Sequence, residues 1–90
     1  MVLIAQNYNK VLRDPDVVGC FYTGVAYRIQ AENAYRDYYV LGEYRDKETA
    51  FDVMKIIAEH LFDTTYTYKL PDAKPDSEVW DAMKQRRYEE

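Results

Sequence analysis

"YVLGEYRDKETAFDVM", residues 39–54, changes its period within a few positions. Residues 38–44, "YYVLGEY", are dense in Tyr and Val and read as a strand. Asp46 then has the chemistry of a helix N-cap, and Glu48 falls in the first turn, where the helix dipole favours an anion. Ala50, Val53, Met54, Ile57 and Leu61 follow at i, i+3, i+4, i+7 and i+11, which is one face of a helix. Phe51, Ala58 and Phe62 are expected to widen that face. Lys47, Asp52, Lys55 and Glu59 fall on the opposite side. The spacing predicts a helix over 46–62 that covers a sheet.

Gly42 sits at the change of period. A phosphate loop needs several glycines and a Lys followed by Ser or Thr, and a dinucleotide fingerprint needs GxGxxG. The chain has three glycines, all far apart. Gly42 is therefore expected to serve a bulge or a close backbone approach where the sheet meets the helix.

Outward from that stretch, "VVGCFYT" (17–23) and "VAYRIQAE" (25–32) read as two strands hinged at Gly24. In the second, Val25, Tyr27, Ile29 and Ala31 alternate with Arg28, Gln30 and Glu32, the mark of a sheet with one wet face. "NAYRD" (33–37) is the loop between strands. Upstream, "VLIA" (2–5) and "KVLR" (10–13) read as short extended pieces. The turn "QNYN" (6–9) joins them, with two Asn that tolerate left-handed backbone. "DPD" (14–16) breaks the second piece. Downstream, "TTYTYKL" (64–70) is strand-like, with Tyr66, Tyr68 and Leu70 on one side. "PDAKPD" (71–76) is a linker, and "SEVWDAMKQRRYEE" (77–90) reads as a short helix with Val79, Trp80 and Met83 as its thin apolar side. The fold class is α+β: an antiparallel β-meander of four to five strands packed against one main α-helix, with a short C-terminal helix. Residues 1–72 form a single domain, and 73–90 a linker and helical tail.

Composition narrows the function. The chain has 90 residues, 48% hydrophobic and 31% charged, with a formal net charge of −4. That suits one small folded domain and disfavours disorder. Residues 1–45 are balanced, so the acidic excess lies in 46–90 and broad nonspecific nucleic-acid binding is disfavoured. No apolar run is long enough for a membrane span, and the opening residues read as a strand, not a signal peptide. Cys20 is alone, which excludes an intrachain disulfide and points to a cytoplasmic setting. One Cys and one His, Cys20 and His60, cannot complete a usual zinc site. Cys20 lies in an apolar strand and reads as a small hydrophobe, while His60 sits near a helix C-terminus. No catalytic constellation, metal site or cofactor site emerges, so the expectation is a protein that is not an enzyme and carries no cofactor.

Ten tyrosines stand out. Tyr suits strands and also contact surfaces, because it joins a rigid apolar ring to a polar tip. Tyr35, Arg36, Asp37 and Tyr38 combine hot-spot residue types on one exposed loop. Asp52 and Glu59 mark an acidic helix face, usually a solvated one and otherwise a mimic of nucleic-acid phosphates. Trp80, Arg86 and Arg87 mark the tail. These nine residues are the expected partner-binding positions. A second reading has Tyr rings stacking on a nucleotide base while Arg28, Arg36 or Arg86 holds its phosphates. A third is a structural or accessory protein that forms a homo-oligomer. An aromatic sheet face left uncovered would equally serve a homodimer.

Leu41-Gly42-Glu43-Tyr44, followed by Lys47-Glu48, Ala50, Val53-Met54 and Ile57, resembles a signature of small uncharacterised proteins from phages and integrative elements of Gram-positive bacteria. Ile4-Ala5-Gln6-Asn7 resembles their opening strand and turn, with Asn7 in place of an Asp. Tyr68-Lys69-Leu70-Pro71 resembles the segment after their helix, with Leu70 in place of a Met. The resemblance implies a strand meander followed by a helix and a mobile-element origin. It transfers no catalytic residue. Small phage proteins of this kind include inhibitors of host defence, anti-CRISPR proteins among them. The implied partner is thus a host defence nuclease or effector inside the host cell, with direct nucleic-acid or membrane contact not expected.

Overall fold

A computed structural model describes residues 1–75. The order of elements is β1 (Val2–Ile4), β2 (Val11–Arg13), β3 (Val17–Tyr22), β4 (Tyr27–Glu32), β5 (Tyr38–Tyr44), α1 (Lys47–His60) and β6 (Thr67–Lys69). The fold is α+β, with six strands in two three-stranded sheets and one helix among the described residues. The meander is β3-β4-β5, three strands where four to five were expected, antiparallel throughout, and α1 packs on it. The other strands form a separate sheet in the order β2-β1-β6, where β1 runs antiparallel to β2 and parallel to β6. The long connection through the meander and helix is what allows a parallel pair here, since parallel neighbours need a crossover.

Asp46 caps α1 as its chemistry predicts, accepting from the Thr49 amide at 3.0 Å and the Thr49 hydroxyl at 2.5 Å. Ala50, Val53 and Ile57 are buried, and Met54 and Leu61 are half-buried. The helix ends at His60, two residues earlier than expected. Phe51, Ala58 and Phe62 do not widen the buried face. All three are exposed: Phe51 and Ala58 flank the buried stripe, with Phe51 in a T-shaped contact with Tyr27, and Phe62 lies past the helix end.

In the meander, Ile29 and Ala31 are buried and Tyr27 is half-buried, in line with the alternation. Val25 departs from it. The Gly24–Val25 turn takes it out of the strand, and it is 78% exposed. Gly24 adopts φ 100°, which suits the first centre of a tight hairpin turn. In the 6–9 turn, Tyr8 and not an Asn takes the left-handed backbone, at φ 61°. Asn7 contributes through its side chain, whose Oδ1 accepts from the Asn9 amide at 3.2 Å.

One core joins both sheets and the helix. Met1, Leu3, Ala5 and Leu70 come from the β1/β6 side, Ile29, Ala31, Leu41 and Tyr44 from the meander, and Ala50, Val53 and Ile57 from α1. Each large aliphatic side chain here contributes about 1.5–3 kcal/mol on burial. The exposed Arg28–Glu43 pair, at 2.8 Å, adds under about 1 kcal/mol, so apolar burial decides the fold. The helical tail expected over 77–90 lies outside the described residues.

The Gly42 junction combines a bulge with a close approach. Ile29 pairs with Gly42 and Gln30 with Val40, so Leu41 is the extra residue. The bulge re-phases the strand: Tyr39 and Leu41 turn inward up to it and Gly42 and Tyr44 beyond it, on the same side. The close approach comes from the second sheet, not from the helix. A Cβ on Gly42 would lie 3.2 Å from Gln6 Cβ and 3.3 Å from Leu70 Cδ2.

Candidate functional site

The β4–β5 loop is the most defined display of exposed hot-spot residues in the described chain. Asn33 builds it. Its Oδ1 accepts from the Tyr35 amide at 2.9 Å and the Asp37 amide at 3.1 Å. Its carbonyl accepts from the Arg36 amide at 3.0 Å, and its own amide donates to the Asp37 carbonyl at 3.0 Å. Four hydrogen bonds on one residue leave this short loop little freedom, the behaviour expected of an Asn-centred turn.

Arg36 has φ 63°. This is the left-handed position of a three-residue hairpin loop, where Gly is the favoured residue. An arginine there carries a backbone cost of about 1–2 kcal/mol. Tyr35 is 85% exposed and Tyr38 66% exposed, and Arg36 and Asp37 are exposed beside them. The tip therefore holds two phenol rings, one guanidinium and one carboxylate in a preset arrangement. It can stack, donate forked hydrogen bonds and accept one ion pair.

The other expected binding residues do not gather at this tip. Asp52 and Glu59 are exposed on α1, a separate element. Trp80, Arg86 and Arg87 lie outside the described residues. Arg28 and Arg36, two of the alternative phosphate holders in the nucleotide reading, are not neighbours. Arg28 is five residues before Asn33 on β4, about 16 Å of extended chain. Its Nε is engaged by Glu43 Oε1 at 2.8 Å, and its guanidinium lies over the Phe21 ring at 5.8 Å.

Cys20 is half-buried on β3, and burial pushes its thiol up from the usual range. His60 stacks on Tyr66 with ring centroids 3.8 Å apart. Among the described residues, no group of three or more His, Cys, Asp or Glu side chains converges as a metal site, and no helix is long and apolar enough to cross a membrane.

Two features were not legible as sites beforehand. A cleft of about 280 Å³ is lined by Gln6, Asn7, Asn9 and residues Val40 to Glu43, at the seam between the sheets. An aromatic cluster joins Tyr22, Tyr27 and Phe51, with ring centroids 4.9 Å and 6.2 Å apart. The cluster forms across β3, β4 and α1, so no local spacing announces it. Comparison with family models, with curated proteins and with solved structures yields no match.

Proposed function

We propose that this chain is a non-enzymatic, mobile-element-encoded binding protein that inhibits a host defence nuclease or related effector, and that it docks through the 33–38 hairpin tip. The observation that carries the reading is Arg36: an arginine sits in left-handed backbone where glycine is favoured, inside a loop held by Asn33. Strain kept at an exposed Tyr/Arg tip fits a side chain retained for contact and not for folding. The preset loop also lowers the ordering cost of binding. The resemblance to small phage proteins supplies the class of partner.

The test is a tagged pull-down from a Gram-positive host lysate, with wild type beside a Tyr35→Ala/Arg36→Gly variant. The expected result is one stoichiometric defence effector held by wild type and lost by the variant. Equal retention by both would remove the hairpin from the interface, and an empty wild-type eluate would remove the host partner. Arg36→Gly by itself is expected to leave thermal stability unchanged or raise it by about 1 kcal/mol, since glycine relieves the left-handed backbone. Loss of binding then cannot be ascribed to unfolding.

A further inference from the structure

β3 is an edge strand of the meander, and its six residues, Val17–Tyr22, carry no charge and no proline. Edge strands of this kind ordinarily carry a charge, a proline or a bulge that prevents further pairing. Thr23 N donates to the carbonyl of Ala26, its direct partner across the turn, at 2.9 Å. The odd-numbered residues of β3 therefore bond to β4, and the backbone groups of Val18, Cys20 and Tyr22 face an edge that no described residue pairs with. On the face away from α1, Val17 is 55% and Phe21 45% exposed, and Gly19 lies between them.

We infer that this edge pairs with β3 of a second copy of the chain, antiparallel, about a two-fold axis at Gly19. In this register each Val17 stands opposite the second copy's Phe21, and Gly19 stands opposite Gly19. Both exposed apolar side chains gain an apolar partner in a non-hydrogen-bonded pair, where side chains approach most closely. Charge does not oppose this occupant at the seam itself. The chain is net −4, so two copies repel in general, yet the Val17–Tyr22 seam brings no like charges together. The geometry also closes. The combined sheet runs β5-β4-β3-β3-β4-β5, and both its outer edges are β5, which is already met by Gln6 through Leu41 O at 2.7 Å and Glu43. The two-fold contact is isologous and uses β3 of both copies, so it closes at two copies.

Analytical ultracentrifugation of the full chain across a dilution series tests this. Wild type is expected to move from 10.7 kDa toward twice that mass as concentration rises. Phe21→Lys, at an exposed position, is expected to weaken dimerisation about tenfold or more, because it places an ammonium against Val17 of the second copy. Gly19→Cys in a Cys20→Ser background is expected to form an interchain disulfide on mild oxidation. A Cβ at Gly19 meets nothing within 4 Å, so the substitution fits the fold. A wild-type monomer at every concentration overturns the inference. So does a dimer that persists in Phe21→Lys. If that variant does not fold, a wild-type dimer whose Gly19→Cys form fails to cross-link overturns it instead.

Discussion

The side-chain amide of Gln6 occupies the place of a strand beside Glu43. Gln6 Nε2 donates to the Glu43 carbonyl at 3.1 Å, and the Glu43 amide donates to Gln6 Oε1 at 3.2 Å. The Gln6 backbone amide adds a bond to the Leu41 carbonyl at 2.7 Å. One residue thus pairs with the bulged edge of β5 and ties the two sheets together. Gln6→Ala leaves the backbone bond and removes the other two. The expected cost is about 1 kcal/mol, since both lost bonds are exposed to water. Urea denaturation would measure it, and an unchanged midpoint would show that the amide contributes no net stability.

Gly42 answers to that contact. Its backbone is not in the left-handed region, so space and not backbone freedom excludes a side chain. A Cβ at 3.2 Å from Gln6 Cβ and 3.3 Å from Leu70 Cδ2 forces both to shift. Gly42→Ala is expected to destabilise by about 1–3 kcal/mol, the usual range for overpacking. Pairing it with Gln6→Ala leaves the Gln6 Cβ in place, so little of the loss should be recovered. Full recovery in the double variant would show that the outer atoms of Gln6 cause the crowding.

Asp46 gives the fold an acid-sensitive helix start. Burial pushes its carboxyl up, but the Thr49 hydroxyl and amide and the Lys74 ammonium, 3.6 Å away, together hold it below the usual range. A lowered carboxyl contributes stability above its unfolded value, near 3.9, and that stability is lost as pH falls through the folded value. Wild type should therefore weaken below about pH 4. Asp46→Ala should cost about 1–2 kcal/mol at neutral pH. Asp46→Asn keeps the cap acceptor and should cost less, with a flatter acid limb. Thermal melts from pH 3 to 7 would compare the three, and parallel acid limbs would remove Asp46 as their source.

Tyr44 is buried, and its hydroxyl donates to the Pro71 carbonyl at 2.6 Å. This bond holds the segment after β6 against the meander. Burial pushes the phenol far up, with Tyr68 and Asp72 adding to the shift. A raised phenol contributes stability below its unfolded value, near 10, and loses it as pH rises above that value. Tyr44→Phe is expected to cost about 1 kcal/mol at neutral pH and to soften the alkaline loss. Alkaline denaturation followed by circular dichroism reads both, and an unaltered alkaline limb in Tyr44→Phe would assign that loss to other groups.

The residues differ in how far local pattern could reach them. Asp46, Ala50, Val53 and Ile57 were legible because N-cap chemistry and the 3.6-residue period are local. Ile29 and Ala31 were legible through the period of two. The hairpin tip was legible as Tyr35-Arg36-Asp37-Tyr38, but its left-handed Arg36 was not, since sequence preference there points to glycine. Phe51 and Phe62 misled. Both are large and apolar beside the core stripe, yet Phe51 meets the sheet at its exposed aromatic margin beside Tyr27, and Phe62 lies past the end of α1.

Sequence by itself determined the α+β class, the helix start at Asp46, the inward faces of β4 and α1, and a special role for Gly42, because each follows from interactions among near neighbours in the chain. Only the tertiary structure decided that the strands divide into two sheets, that β6 lies parallel to β1, and that Gln6 and Leu70 approach Gly42. It also left β3 at an edge that no described residue pairs with. These arrangements depend on contacts between residues far apart in the chain, such as Val2 with Thr67, 65 positions on, and no local period encodes which distant strand becomes a neighbour.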